Sequence, residues 1–95
     1  MTTTEHSTAV VTLVHSTACH FCDDAAVVLE ALTITHPLQI HTVALDSSEG
    51  IELVAQHRPA MNPLVLVDGE YFSSGRLPRK KLVKLLEERT SARAR

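Results

Sequence analysis

Two short segments of this chain are apolar at almost every position, and this pattern restricts the fold more than any other feature. They are residues 10–14 and 64–67. A strand with one face in water alternates apolar and polar residues, whereas a strand covered on both faces is apolar throughout. We therefore expect a sheet that carries helices on both faces. A chain of 95 residues is long enough for one such core but not for two.

Strand and helix patterns alternate along the first part of the chain. The apolar spacing predicts a strand over residues 9–14, a helix over 22–34 and a second strand over 38–44. Asp46 with Glu49 three residues later is typical of a capping box, which would open a short second helix. A strand, a crossing helix and a second strand imply a parallel pair of strands with a right-handed connection.

A β-hairpin is the best-defined local structure in the second part of the chain. Residues 64–67 and 70–73 flank Asp68 and Gly69, a pair that favours a two-residue primed turn. After the hairpin, Pro78 and leucines at helical spacing predict a last helix. The predicted class is α/β with the order β-α-β-α-β-β-α, a four-stranded mixed sheet with helices on both faces.

The only two cysteines of the chain, Cys19 and Cys22, lie where the first strand runs into the first helix. A dithiol at the start of a helix is typical of redox chemistry, because unpaired N–H groups and the helix dipole favour a thiolate there. Thiol–disulfide exchange needs one thiolate to attack and a second thiol to release the mixed disulfide. We expect Cys19, at the helix tip, to be the nucleophile and Cys22, one turn inside, to be the resolving thiol.

Three other interpretations of the cysteine pair stay open. A zinc site needs about four ligands, and His15 and His20 are the candidates that could complete a set. Two chains together would supply four thiolates for an iron–sulfur cluster. The domain could also bind extended peptides without catalysis. The sequence favours redox chemistry over metal binding because it offers two thiols only, so we expect no metal ligands.

Composition narrows the remaining classes of function. Lys and Arg number 9 and Asp and Glu number 11, giving a net charge of −2, which argues against nucleic-acid binding. The longest apolar run, residues 25–29, is too short to cross a membrane. The first residues lack the pattern of a secretory signal, so we expect a cytoplasmic protein.

We expect one monomeric domain over residues 8–90, between flexible tails at residues 1–7 and 91–95, the second of them basic.

The arrangement resembles the thioredoxin fold, and within that fold it is most similar to a glutaredoxin. The resemblance rests on the motif at residues 19–22 after the first strand, on Asn62 and Pro63 before the third strand, and on the hairpin. Glutaredoxins typically carry an aromatic residue just before the second cysteine, and Phe21 fits that place. Thioredoxins usually have a tryptophan before the motif, and this chain has none.

The resemblance also implies a substrate-binding surface around the cysteines. Pro63 would follow a cis peptide bond, and the backbone of Asn62 would pair with an extended peptide or with glutathione. Met61 is expected to fill a gap beside Pro63 or to line the groove. The substrate-binding residues carried over in this way are His20, Phe21, Asn62, Pro63, Ser74 and Gly75.

The resemblance implies reduction of protein or glutathione mixed disulfides without a bound cofactor. Disulfide-containing proteins would be the substrates, and glutathione or a thioredoxin-reductase-type protein would supply the electrons. The family commonly binds glutathione with a Gly-Gly pair followed by an acidic residue. Here the corresponding stretch is Ser73, Ser74, Gly75 and Arg76, which has one glycine and a basic residue. The two serines can donate hydrogen bonds, and Arg76 favours a carboxylate.

Overall fold

A computed structural model describes residues 8–94 of the chain, with side chains as far as residue 89. Its seven elements follow the predicted order and types. They are β1 (Ala9–His15), α1 (His20–Thr35), β2 (Leu38–Ala44), α2 (Ser48–His57), β3 (Leu64–Val67), β4 (Glu70–Ser74) and α3 (Arg79–Ala94). The main difference in bounds is at α1, which begins at His20 rather than at Cys22.

The four strands form one mixed sheet in the order β2-β1-β3-β4. β1 pairs with β2 in parallel, from Ala9 opposite Leu38 to His15 opposite Ala44. β1 pairs with β3 in the antiparallel sense, and β3 pairs with β4 in the same way. The predicted parallel unit and the predicted hairpin therefore join in a single sheet, with β1 and β3 at its centre.

The apolar residues of the two central strands pack against helices on both faces of the sheet. On one face, Val11 and Leu13 lie in a cluster with buried residues of α1 and α3, among them Leu29 and Leu82. On the other face, Val14 lies in a second cluster that is covered by residues of α2. Successive strand residues point to opposite faces, so these continuous apolar strands feed both clusters. The predicted two-sided cover is confirmed.

The hairpin turn has the predicted primed geometry and is tied to β1. Asp68 and Gly69 have φ values of 51° and 85°, and positive φ at both central residues defines a type I′ turn. The carboxylate of Asp68 accepts a hydrogen bond of 2.9 Å from the backbone N–H of Val10. The guanidinium of Arg89 on α3 also pairs with this carboxylate. The turn thereby holds the start of β1 and the last described turns of α3 together.

The start of α2 differs from the capping box predicted at Asp46. The N-cap is Ser47, whose hydroxyl oxygen accepts a hydrogen bond of 3.0 Å from the N–H of Gly50. With Ser47 as the N-cap, Glu49 is the second helical residue rather than the third, so the capping box predicted with Asp46 does not form. The carboxylate of Glu49 instead pairs with His41 on β2 at 3.0 Å. The prediction of Asp46 as the cap is therefore wrong by one residue.

Gly50 is required where α2 begins, because the helix runs close to the end of β2. A Cβ atom added at Gly50 would lie 2.1 Å from the carbonyl oxygen of Ala44 and 2.8 Å from that of Leu45. Both are backbone atoms, so no flexible side chain can move aside. Any other residue at position 50 would push the helix away from the sheet.

The predicted tails fall at the limits of what the structure describes. Residues 1–7 lie outside the described residues. α3 continues to Ala94, beyond residue 90 where the sequence analysis ended the domain, and the flexibility expected for residues 91–95 stays a prediction.

Across residues 8–94, no helix combines the length and the apolar character that spanning a bilayer requires.

Candidate active site

Cys19 is the N-cap residue of α1. Its backbone is extended, with φ −124° and ψ 106°, and its sulfur accepts a hydrogen bond of 3.1 Å from the backbone N–H of Cys22. Serine and aspartate usually occupy this position because their side-chain oxygen satisfies an unpaired helix N–H. A thiolate at Cys19 would receive the same hydrogen bond together with the positive end of the helix dipole.

The two cysteines form a disulfide bond in the structure. Their Cα atoms are 5.2 Å apart, within the usual range for a disulfide. Cys19 is partly exposed, whereas Cys22 is only 3% exposed and belongs to the core. A large substrate can therefore approach the sulfur of Cys19 but not that of Cys22. These positions agree with those expected from the sequence, and the chemical roles of the two residues stay predictions.

The residue before Cys19 has an unusual backbone conformation that the sequence analysis missed. Ala18 has φ 52°, in the left-handed region that L-residues other than glycine seldom adopt. This conformation turns the chain from the end of β1 into the first turn of α1. Alanine carries no sequence signal for a left-handed backbone, so pattern reasoning could not find this feature.

The loop before β3 lies beside the loop that leads to Cys19. The Asn62–Pro63 peptide bond is cis, as predicted, and Pro63 is fully buried. The side-chain amide of Asn62 donates a hydrogen bond of 3.5 Å to the hydroxyl of Ser16. The carbonyl of Pro63 accepts a hydrogen bond of 3.0 Å from the N–H of Gly75. Three of the predicted substrate-binding residues, Asn62, Pro63 and Gly75, are thus brought together next to the β1–α1 loop.

Two large apolar side chains near the motif and this loop are exposed. Phe21, inside the motif, is 36% exposed, and Met61, before Asn62, is 53% exposed. A Cβ atom added at Gly75 would lie 3.2 Å from the sulfur of Met61, which places the methionine over the loop after β4. Met61 is therefore too exposed to be mainly a gap-filler, since its side chain lies on the surface beside Gly75. The alternative, that it lines the groove, stays a prediction.

The two serines at the end of β4 differ in their environment. The sequence analysis expected both serines to donate hydrogen bonds to a ligand. Ser73 is only 9% exposed, so its hydroxyl does not reach a ligand at the surface. Ser73 lies opposite Val65 in the β3–β4 ladder, so its side chain shares the sheet face of Val65, which belongs to the core. The hydroxyl of Ser74 accepts a hydrogen bond of 3.0 Å from that of Tyr71. Of the two, only Ser74 is placed to contact a ligand.

The ionisable residues around the motif come from two elements. His20, Asp23 and Asp24 lie in the first turns of α1 and are exposed. His15 ends β1 and is partly buried. Among residues 8–94, no three histidine, cysteine, aspartate or glutamate side chains are grouped so that they could hold a metal ion.

Comparison with known proteins identifies the fold. No family model matches the sequence, and no curated protein matches it. Among solved structures, the solution structure of a thioredoxin from Thermus thermophilus is similar, with a TM-score of 0.56 and 24% sequence identity over 90% of this chain and 76% of that chain. The chain has the thioredoxin fold. Within this thioredoxin fold, the cysteine pair lies at the end of the central strand β1, between the loop before β3 and α1.

Proposed function

We propose that this protein is a dithiol–disulfide oxidoreductase that reduces protein or glutathione mixed disulfides. The observation that carries the proposal is the pairing of a partly exposed Cys19 with a buried Cys22 in one disulfide at the start of α1. Such a pair offers one sulfur to the substrate and keeps the second within bonding distance of the first. The thioredoxin fold supplies the strand and helix that hold both sulfurs.

The reaction proceeds in two exchange steps. The Cys19 thiolate attacks one sulfur of the substrate disulfide, which forms a mixed disulfide and releases the first thiol. The Cys22 thiolate then attacks the sulfur of Cys19, which releases the second thiol and leaves the Cys19–Cys22 disulfide. Two electrons pass from the dithiol to the substrate, and a thiol or dithiol reductant restores the reduced protein. The N–H of Cys22, 3.1 Å from the sulfur of Cys19, stabilises negative charge on that sulfur as it attacks.

The exposed apolar side chains support an extended, partly apolar substrate. Phe21 and Met61 together would cover apolar groups next to the reacting sulfur, and His20 would lie at the rim. The backbone beside Asn62 would pair with the substrate chain in the manner of an added strand. This surface favours a disulfide in a flexible peptide segment over one that lies flat on a rigid domain.

The glutaredoxin-like subtype is part of the proposal. Phe21 before the second cysteine and the lack of tryptophan favour it, and Arg76 with Ser74 would receive a carboxylate of glutathione. In this proposal the protein is a cytoplasmic monomer that needs no bound cofactor. Glutathione or a reductase of the thioredoxin-reductase type restores its dithiol.

Trapping the mixed disulfide tests the assignment of the two cysteines. The Cys22→Ser variant should accumulate an adduct on Cys19 when it meets a peptide disulfide, and mass spectrometry of the digested protein should locate it. The Cys19→Ser variant should neither form an adduct nor turn over substrate. Full activity of Cys19→Ser would refute the proposal.

A redox titration in glutathione buffer, read by mass spectrometry, tests whether the protein is of the glutaredoxin-like subtype. A glutathionylated Cys19 as an intermediate would support a glutathione-dependent enzyme. An internal disulfide that forms only with a protein reductant would favour the thioredoxin type.

A further inference from the structure

Positive and negative charges lie in different parts of this chain. All 9 lysine and arginine residues come after residue 57, whereas most of the acidic residues come before it. The domain therefore carries the positive charge of its lysines and arginines on the segments that follow α2. Such an asymmetry decides which partners each part of the surface attracts.

The strand order places the two kinds of charge on opposite sides of the cysteine motif. At one end of the sheet, β1, β2 and β4 end and β3 begins. Across this end, Asp46 follows β2, Cys19 follows β1 and Arg76 follows β4. Neighbouring strands lie about 4.8 Å apart, so β4 lies roughly 10 Å from β1, on the side away from β2. The motif thus has a carboxylate on one side and a guanidinium on the other.

The starts of α1 and α3 continue this division beside the sheet. Both helices contribute to one core cluster, so they pack on the same face. Four residues connect the end of β4 to α3, so α3 begins at the same end of the sheet as α1. Asp23 and Asp24 lie near the start of α1 and are exposed. Arg79 and Lys80 begin α3 and are also exposed.

The exposed side chains of Arg76, Arg79 and Lys80 are together called the basic patch below. Among residues 8–89, none of the three forms an ion pair with a carboxylate. The first turn of α3 holds no acidic residue, although the positive end of a helix dipole favours acidic residues there and disfavours basic ones. The local structure of the helix therefore gives no reason for these charges, and a negatively charged partner would stabilise them.

The charges on the other side of the motif restrict what this partner can be. A nucleic-acid strand or an anionic membrane that covered the motif would also approach Asp23, Asp24 and Asp46, which repel it. A peptide, in contrast, can carry acidic residues on one side of its cysteine only. An extended peptide advances about 3.3 Å per residue, so residues about three positions from its cysteine would reach the basic patch.

We propose that the basic patch docks acidic residues of a protein substrate, on one side of the substrate cysteine and about two to four positions from it. The proposal rests on the oxidoreductase function above and names the class of its substrate. Carboxylates of the substrate pair with Arg76, Arg79 and Lys80 before the exchange. This pairing raises the rate of encounter and sets the direction in which the substrate chain crosses the motif. Acidic residues on the other side of the cysteine meet the carboxylates of α1 and of the loop after β2, which slows the encounter.

Peptide disulfides with a charged flank test the proposal. Each peptide has one cysteine, joined by a disulfide bond to a small neutral thiol, and a flank of Glu, Gln or Lys at about two to four positions from it. The flank lies on the N-terminal side of the cysteine in one series and on the C-terminal side in the other. The rate of reduction by the reduced protein is measured by liquid chromatography of quenched samples.

One of the two series should show a preference for the Glu flank. At low salt the Glu flank should be reduced about 10-fold faster than the Gln flank, a moderate effect for electrostatic steering, and the Lys flank should be slower than both. In the other series the Glu flank should bring no gain. About 0.5 M salt should lower the preference to less than about 2-fold, because screening shortens the reach of the charges.

Single neutralised variants locate the preference on the protein. Arg79→Gln and Lys80→Gln should each lower the ratio of the Glu-flank rate to the Gln-flank rate by about 3-fold, the size expected for one exposed ion pair. Arg58→Gln is the matched control, because Arg58 ends α2 on the opposite face of the sheet. This variant should keep the ratio of the parent protein.

Three kinetic results would overturn the proposal. They are equal rates for the Glu and Gln flanks in both series, the same gain from the Glu flank in both series, and a ratio that Arg58→Gln lowers as much as Lys80→Gln does. Fluorescence anisotropy at the same salt gives a fourth, since tighter binding of a single-stranded oligonucleotide than of the Glu-flanked peptide would assign the basic patch to nucleic acid. A parent protein that reduces none of the peptides would refute the oxidoreductase function itself, and the docking proposal would fall with it.

Discussion

The close approach of α2 to the end of β2 makes a strong prediction for Gly50→Ala. Alanine is the best helix former, and replacing a helical glycine with it normally stabilises a protein by up to about 1 kcal/mol. At Gly50, however, the added Cβ would lie 2.1 Å from the carbonyl oxygen of Ala44. Ordinary contact between a carbon and a carbonyl oxygen is about 3.3 Å, so the helix must move by about 1 Å.

The loss in the free energy of unfolding can be estimated from the contacts that this movement of the helix disrupts. Overpacking of this kind costs about 1–3 kcal/mol, and the upper end applies because both obstructing atoms belong to the backbone. The movement also weakens the cap that the Ser47 hydroxyl provides to the N–H of Gly50, at about 1 kcal/mol. After subtraction of about 1 kcal/mol for the helix propensity of alanine, Gly50→Ala should lose about 3 kcal/mol of the free energy of unfolding.

Urea denaturation followed by far-ultraviolet circular dichroism measures this loss, and thermal unfolding gives a second estimate. A domain of this size loses about 4–8 °C of Tm for each kcal/mol, so the shift should exceed about 10 °C. Gln56→Ala, at an exposed position of the same helix, is the matched control and should change stability by less than about 0.5 kcal/mol. A Gly50→Ala protein as stable as the parent protein would refute the close approach of α2 to β2.

Two further predictions concern the cysteine pair and the hairpin turn. After reduction, a bulky alkylating reagent should modify Cys19 at least about 10-fold faster than Cys22, because Cys22 is 3% exposed and reactivity follows access. Peptide mapping by mass spectrometry measures both rates. Equal rates would contradict the burial of Cys22. Asp68→Gly keeps a residue suited to the positive φ but removes the hydrogen bond to Val10 and the pairing with Arg89, so it should lose about 1.5–3 kcal/mol in urea denaturation. Arg89→Gln removes only the ion pair and should lose less than about 1 kcal/mol, and an equal loss in the two variants would show that the bond to Val10 contributes nothing.

The sequence was sufficient for the architecture because the decisive signals were local and periodic. Apolar residues at every position of 10–14 and 64–67, apart from Thr12, required cover on both faces of a sheet, and the structure has it. Asp68 and Gly69 specified a primed turn through their tolerance of positive φ. A strand or turn that depends on one local pattern of residues can therefore be predicted from the sequence alone.

The features that the sequence missed depend on contacts between distant segments. The cap of α2 is Ser47 rather than Asp46, and Glu49 pairs with His41 on another strand. Met61 is exposed and lies beside Gly75, a contact between residues on either side of the hairpin. Ala18 has a left-handed backbone although its side chain gives no sign of it.

The candidate site also has some features that the sequence located and others that it could not locate. Motif spacing located Cys19 and Cys22, and the resemblance located Pro63 with its cis bond. The grouping of His15, Cys22 and Asp23 around one open groove could not be located in this way, because it depends on how α1 packs against β1 and β2. In the sequence analysis, His15 was only a candidate zinc ligand.

The direction of β1 bears on how this protein can be attached to a surface. Thr8 precedes the strand at one end, and the cysteine pair follows it at the other. At about 3.3 Å per residue, the strand separates the two ends by roughly 20 Å. A tether or electrode linkage placed ahead of Thr8 would therefore leave Cys19 at the far end of the strand from the support.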